Sequence, residues 1–214
     1  MCTQFHLDPE GEELKGILAA VRKSALAGRF AAAGKAVKEA GEVRPTDVVP
    51  VVASGRDGGR AAFPMRWGFR VGEGGAPVVN ARVESASGKA AFREAWAGHR
   101  CAIPAAWYYE WEHPVGADGK RRVGDKYRFR VAGDGATWLC GLYRMEGGLP
   151  VFAVLTREAP AELARIHERM PLVLPSGCIG EWIRPGARPE GLLGEAVTGM
   201  VAERVGGARR RSEK

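Results

Sequence analysis

At 214 residues with 45% hydrophobic positions, the chain is long enough for one domain with a sizeable core and short for two. Its four cysteines, at 2, 101, 140 and 178, form no CxxC pair and no Cys/His spacing suited to zinc, and no signal peptide or apolar run of membrane-spanning length is present. These features predict a soluble protein of the reducing cytoplasm without a metal, while the formal net charge of +7 favours an anionic partner. Part of that excess sits in the final seven residues, Ala208 to Lys214, so charge alone makes nucleic acid only a mild favourite.

From Pro9 to Ala40 the chain is rich in Ala, Lys and Glu, with Leu14, Ile17, Leu18 and Val21 at helical spacing and breaks near Gly28 and Gly41. Two helices are expected there. From Val48 onward short β-type runs alternate with glycine-rich turns: 48–53, 61–69, 78–81, 127–131, 137–143 and 151–155. A helix is predicted over 88–97, and another starts with Pro160 and runs to about Glu168, before Met170-Pro171. The glycine-rich stretches 72–76 and 116–124 read as loops, and neither a repeat nor a linker divides the chain. The expectation is an α+β single domain over 1–205, with a curved, largely antiparallel, barrel-like sheet flanked by helices, followed by a disordered basic tail over 206–214.

Four places carry titratable or polar groups in settings that invite chemistry. Cys2 follows Met1, so removal of one methionine would expose a cysteine with a free α-amine beside its thiol. With a thiol pKa near ~8.5 and an amine near ~7.7–8.0, about a third of the amine is neutral at pH 7.5. Such a 1,2-aminothiol traps an aldehyde as a Schiff base and then a thiazolidine, or its thiol attacks an acyl carbon. Taken alone, Cys2 reads more readily as an accident of a loose terminus. The run Asn80-Ala81-Arg82-Val83-Glu84-Ser85 places an amide and a guanidinium two residues apart on an extended chain, able to hold a sugar oxygen and a phosphate, although Arg82 and Glu84 would also serve as a surface pair. Glu110, between aromatics in the run from Arg100 to Trp111, suits general acid/base work if burial raises its pKa; a rim carboxylate beside core aromatics is the plainer alternative. His167 falls at an expected helix C-terminus, where the dipole favours the cation, and where a lone histidine is more often a cap or a surface group than a functional one.

Together these segments resemble the SRAP proteins, the SOS-response-associated peptidase family, whose members shield abasic sites in single-stranded DNA. The matching pieces, in order, are Met1-Cys2, Arg44-Pro45-Thr46, Arg66-Trp67-Gly68-Phe69, Asn80 to Ser85, Arg100 to Trp111, Leu155-Thr156 and Ile166 to Leu174. The resemblance implies that Cys2 forms a thiazolidine crosslink with the ring-opened aldehyde of an abasic site. It implies that Asn80 positions the open sugar, that Glu110 moves protons in closure and reversal, and that His167 binds or protonates the released hydroxyl. Arg82 and Arg169 become phosphate clamps, Trp67 and Trp111 pack against bases, and Thr156 and Pro45 lie near the DNA. No cofactor is implied, the partner is single-stranded DNA carrying an abasic site, and a monomer is the simplest assembly.

The chain departs from the family pattern in three places. Thr3-Gln4 replaces a Gly-Arg pair, removing one positive charge. Glu42 or Val43 stands where an asparagine is usual, and only Ala196-Val197-Thr198 matches the usual ending. Competing functions are a cysteine peptidase, acting on other chains or on itself, with Cys2 as nucleophile and His167 or Glu110 as base; an amidotransferase with an N-terminal cysteine nucleophile; and a noncovalent single-strand binder.

Overall fold

The structure is a computed structural model describing residues 2–72, 74–116, 118–133 and 135–206. In chain order the first half contains β1 (Phe5–Leu7), α1 (Glu12–Arg22), α2 (Ala25–Ala32), β2 (Gly41–Val43), β3 (Val48–Ser54), β4 (Arg60–Trp67), β5 (Asn80–Arg82), α3 (Val83–Ala86) and α4 (Arg93–Gly98). There follow β6 (Arg100–Ala105), β7 (Trp107–Trp111), β8 (Lys126–Val131), β9 (Thr137–Glu146), β10 (Leu149–Glu158), α5 (Ala161–Ala164), β11 (Arg169–Pro171), α6 (Ile179–Ile183) and β12 (Met200–Gly206).

The long apolar strands close on themselves. β4, β3, β6 and β9 pair antiparallel in succession, and β10 returns to pair with both β9 and β4, so no edge remains in this five-stranded ring. The β10–β4 link is parallel, as is the β10–β5 link, which qualifies the expected antiparallel pattern. Strands buried on both faces read as unbroken apolar runs, and β3 and the part of β6 that follows Arg100 do. A second, antiparallel sheet runs in the order β12-β8-β7-β1-β2. It alternates: Tyr108 and Phe129 stack at 5.0 Å on the buried side, while Trp107, Tyr109 and Trp111 are only half-buried.

Two apolar clusters result. One joins Cys2, Phe5 and Leu7 to Leu14 and Leu18 of α1 and to the Val51, Trp67 and Phe152 side chains of the barrel. The other packs α4 and α6 against Val52, Ala102, Cys140 and Leu155. Arg100 anchors that second layer from a fully buried position by donating to the carbonyls of Trp96, Ala97, Trp182, Arg184 and Ala187, late in or just past α4 and α6, where the helix dipoles favour a cation.

Several boundaries differ from expectation. The first two helices break at Ser24, whose hydroxyl accepts from the Leu26 amide and caps α2, so Gly28 lies inside a helix. The helix expected over 88–97 is shorter, starting only at Arg93 as α4, and a separate turn of helix, α3, precedes it at Val83–Ala86. The one expected to reach Glu168 ends at Ala164, leaving His167 in the bend before β11. β1, β2 and β12 had no strand signal of their own. The expected tail begins at Gly206, which closes β12, and residues 207–214 lie outside the described residues. No helix among the described residues is long and apolar enough to cross a membrane.

Candidate functional site

Cys2 reaches its place because β1 inserts between β2 and β7, and the pairing continues past its start: the Tyr109 amide donates to the Gln4 carbonyl at 2.9 Å. This draws Cys2 into the core with no exposed surface. Asn80, the first residue of β5, is registered on Val154 of β10, and its Nδ2 donates to the Cys2 carbonyl oxygen at 2.8 Å. The Cys2 thiol points to the Gln4 carbonyl at 3.7 Å. Burial, and then the negative charge of Glu110, push that thiol well above its ordinary pKa, so it stays protonated at neutral pH.

Glu110 lies on the buried side of β7, between the outward rings of Tyr109 and Trp111, and is 3% exposed. Burial raises its carboxyl from the ordinary 4.5 to about 7. Its flanking rings point to the opposite face, so it is the alternation of β7 that buries it, and the group titrates where a proton shuttle is useful. The Asn80 Oδ1 and Gln4 Oε1 atoms are buried near the same strands without hydrogen-bond partners among the described residues. The neighbourhood of Cys2 therefore holds unused acceptors.

His167 was expected at a helix C-terminus with the dipole favouring its cation. Instead burial pushes its pKa down and favours the neutral ring. Its Nδ1 lies 3.0 Å from both the amide nitrogen and the carbonyl oxygen of Arg169. The neutral ring accepts from that N–H, and a protonated ring donates to that carbonyl, so one residue's backbone supports either state.

The other expected positions divide. Arg82 is exposed next to Asn80, and no ion pair holds it among the described residues. Trp111 and Pro45 line a cleft of about 320 Å³ with Thr3, Gln4, Arg44 and Lys126, beside Cys2 in the chain. Thr46, with φ of 76°, is held in a left-handed conformation disfavoured for a β-branched residue, fixed by the hydrogen bond its N–H donates to the Trp67 carbonyl. That strained turn presents Arg44 and Pro45 to the cleft.

Trp67, expected against bases, is instead fully buried. Its indole N–H donates to the Val79 carbonyl and its ring packs on Phe5 and Phe152. The inward side of β4 leaves it no path to a ligand. Thr156 is likewise fully buried and bonded to the Ala81 carbonyl. Arg169, expected as a phosphate clamp, makes a two-pronged pair with Glu84 at 2.9 Å on each arm and donates to the Thr156 carbonyl at 2.7 Å. In this arrangement it ties β11 to β10 and α3. Lys126 was overlooked: its Nζ lies 3.9 Å above the Tyr109 ring and 5.0 Å from the Trp111 ring. The β7–β8 register that brings it there is not legible in sequence.

Among the described residues no group of three or more His, Cys, Asp or Glu side chains is placed to hold a metal ion.

An α+β fold that brings an amide and an elevated carboxyl to a buried thiol defines a protein whose site is built around cysteine. The chain belongs to the SOS response associated peptidase (SRAP) family, whose model matches residues 1–205. It is 30% identical over 131 residues to the abasic site processing protein YobE of Bacillus subtilis, covering 56% of this chain and 58% of that one. To the abasic site processing protein YedK of Escherichia coli it is 31% identical over 129 residues, covering 56% and 54%. The chain thus spans a little over half the length of these relatives. Solved structures share the fold: a Bordetella bronchiseptica protein with TM-score 0.67 at 20% identity, covering 95% of this chain and 99% of that one, and a Bacteroides thetaiotaomicron protein with TM-score 0.68 at 19%, covering 94% and 91%.

Proposed function

We propose that this protein binds single-stranded DNA at abasic sites and caps the lesion covalently through Cys2. The observation that carries the reading is the fixed Cys2, held by Asn80 at 2.8 Å and electrostatically coupled to a carboxyl that titrates near 7. The relatives' names as abasic site processing proteins point the same way.

Removal of Met1 frees the Cys2 α-amine, which adds to the C1′ aldehyde of the opened sugar to give a carbinolamine. Protonation of its hydroxyl by Glu110 expels water and leaves an imine. The sulfur then adds to the imine carbon while the thiol proton passes, through Glu110, to the imine nitrogen. One water is released in all, and the product is a five-membered thiazolidine. A carboxyl near pKa 7 serves both directions because it gives and takes a proton at similar cost. Asn80 holds the Cys2 carbonyl so that amine and thiol face one point, and its free Oδ1 is available to a sugar hydroxyl. His167 supplies or receives the proton of the hydroxyl released on ring opening. Arg82 and the Arg44–Lys126 cleft hold backbone phosphates, Trp111 meets a base, and Thr156 and Arg169 act from behind by fixing β5, β10 and β11. An unpaired strand leaves the flanking bases accessible, so a monomer needs no second copy to open a duplex.

The test is a denaturing gel of mass-verified protein lacking Met1 with a single-stranded oligonucleotide carrying one abasic site, beside an intact control. A shifted band with the abasic strand only, absent in Cys2→Ala, is the expected result. Peptide cleavage without DNA and no shifted band would transfer the role of Cys2 to peptidase chemistry.

A further inference from the structure

We propose that the solvent face of the β12-β8-β7-β1-β2 sheet is a stacking track that holds the unmodified nucleotides on one side of the lesion. The inference rests on the reading of single-stranded DNA as partner and adds the surface that carries the flanking strand. On β7 the outward side chains are Trp107, Tyr109 and Trp111; on β8 they are Lys126, Arg128 and Arg130. The register sets Tyr109 against Arg128 and Trp111 against Lys126, and the side chains touch across the strands: Lys126 caps Tyr109 and Trp111, and Arg128 lies 5.3 Å from the Trp107 ring. His6 of β1 stacks on Trp107 at 4.1 Å and braces its position.

Three rings in a row, with a cation beside each, is the combination that binds unpaired nucleic acid through base faces and phosphates. Alternate residues on a strand lie about 6.7 Å apart, roughly twice the 3.4 Å rise of stacked bases, so an extended strand places one splayed base on each ring. The cations sit on ring faces that a base would take, and their long stems let the charge move to the adjacent phosphate.

Charge and continuity select this occupant. Glu203 is shared by Arg128 and Arg130, and Glu42 by Lys126 and Arg44, so each carboxylate faces two cations and the face keeps a positive excess. At one end Trp111 and Lys126 belong both to the row and to the cleft next to Cys2. At the other, Trp107 and Arg130 border a cavity of about 220 Å³ that also carries Asp8 and Glu13. Those carboxylates repel phosphate and end the track after about three nucleotides.

Fluorescence anisotropy with intact single strands of about four and about twelve nucleotides tests the track apart from any crosslink. In the wild-type protein the longer strand binds more tightly. Trp107→Ala and Tyr109→Ala should each remove about 5- to 150-fold of that gain, the range for one stacked base. Trp107→Phe should restore most of it, and Arg130→Gln, which leaves the rings intact, should lower the salt slope by about 0.7. Crosslinking of a short abasic strand should be unchanged in all four variants. Loss of the length gain in a protein that forms no crosslink would keep the track and discard the covalent reading. An undiminished length gain in folded Trp107→Ala and Arg130→Gln overturns the track. So does self-association through this face, lost in Trp107→Ala without any effect on DNA.

Discussion

Replacing Glu110 with glutamine should change how stability depends on pH. Burial raises the carboxyl from the ordinary 4.5 to about 7, so the native state holds a proton that the unfolded chain releases over that interval. The native protein binds more protons than the unfolded one there, and stability falls as pH rises from about 4.5 to about 7 before levelling off. A displacement of roughly 2.5 pH units at 1.36 kcal/mol each makes the loss about 3 kcal/mol. Glu110→Gln keeps the shape and hydrogen-bonding capacity without the ionisation, so it should match the wild type near pH 4.5 and exceed it by up to about 3 kcal/mol at pH 8. Urea denaturation at both pH values, with equal m-values, measures this directly. The same variant should crosslink more slowly at neutral pH. Parallel stability profiles for the two proteins would show that Glu110 is not held as a buried, elevated carboxyl, and its role in proton transfer would go with it.

Trp67→Ala should cost about 3–5 kcal/mol of stability in denaturant titrations, as for a large core side chain, with no selective loss of DNA affinity in whatever remains folded. Arg169→Ala breaks the Glu84 pair and the Thr156 carbonyl bond; because Glu84 is 46% exposed and regains water, the loss should be about 1–3 kcal/mol in chemical denaturation. Arg82→Ala, removing an exposed guanidinium, should leave the melting temperature unchanged and flatten the salt dependence of single-strand binding by about 0.7 in slope.

The barrel strands were legible because burial on both faces writes itself as unbroken apolar runs, and β3 and β10 fall where those runs lie. The short strands were not: β1 and β2 have three residues each, and what makes them strands is mutual pairing, Phe5 on Val43 and Leu7 on Gly41, over a sequence separation that no local pattern reports. The same distinction runs through the site. Glu110 was readable because it closes an apolar run, two residues past the buried Tyr108, and so was the place of Asn80 on an extended segment, though not the strand it pairs with. The fate of Trp67 and Arg169 was not, since it depends on which side of β4 faces the barrel and on Glu84 arriving from α3. His167 went wrong by three residues of helix: with α5 ending at Ala164, the dipole is gone and burial decides its charge.

The buried thiol also bears on the order of events at Cys2. A mechanism that begins with thiolate attack works poorly with a cysteine whose pKa is pushed up by burial and by Glu110, because little thiolate exists at neutral pH. One that begins with the amine needs no thiolate: an unperturbed α-amine has a pKa of only about 7.7–8.0, and the sulfur acts only after the imine has formed beside it. Cys2→Ser separates the two. With Met1 removed, the serine variant retains the amine and the Asn80 hold on the backbone carbonyl, so borohydride should trap an imine adduct on abasic single strands while no adduct survives without the reductant. Absence of any trapped adduct from a folded, processed serine variant, beside normal crosslinking by the wild type, would mean that sulfur attacks first and that the site must ionise a thiol its own burial opposes.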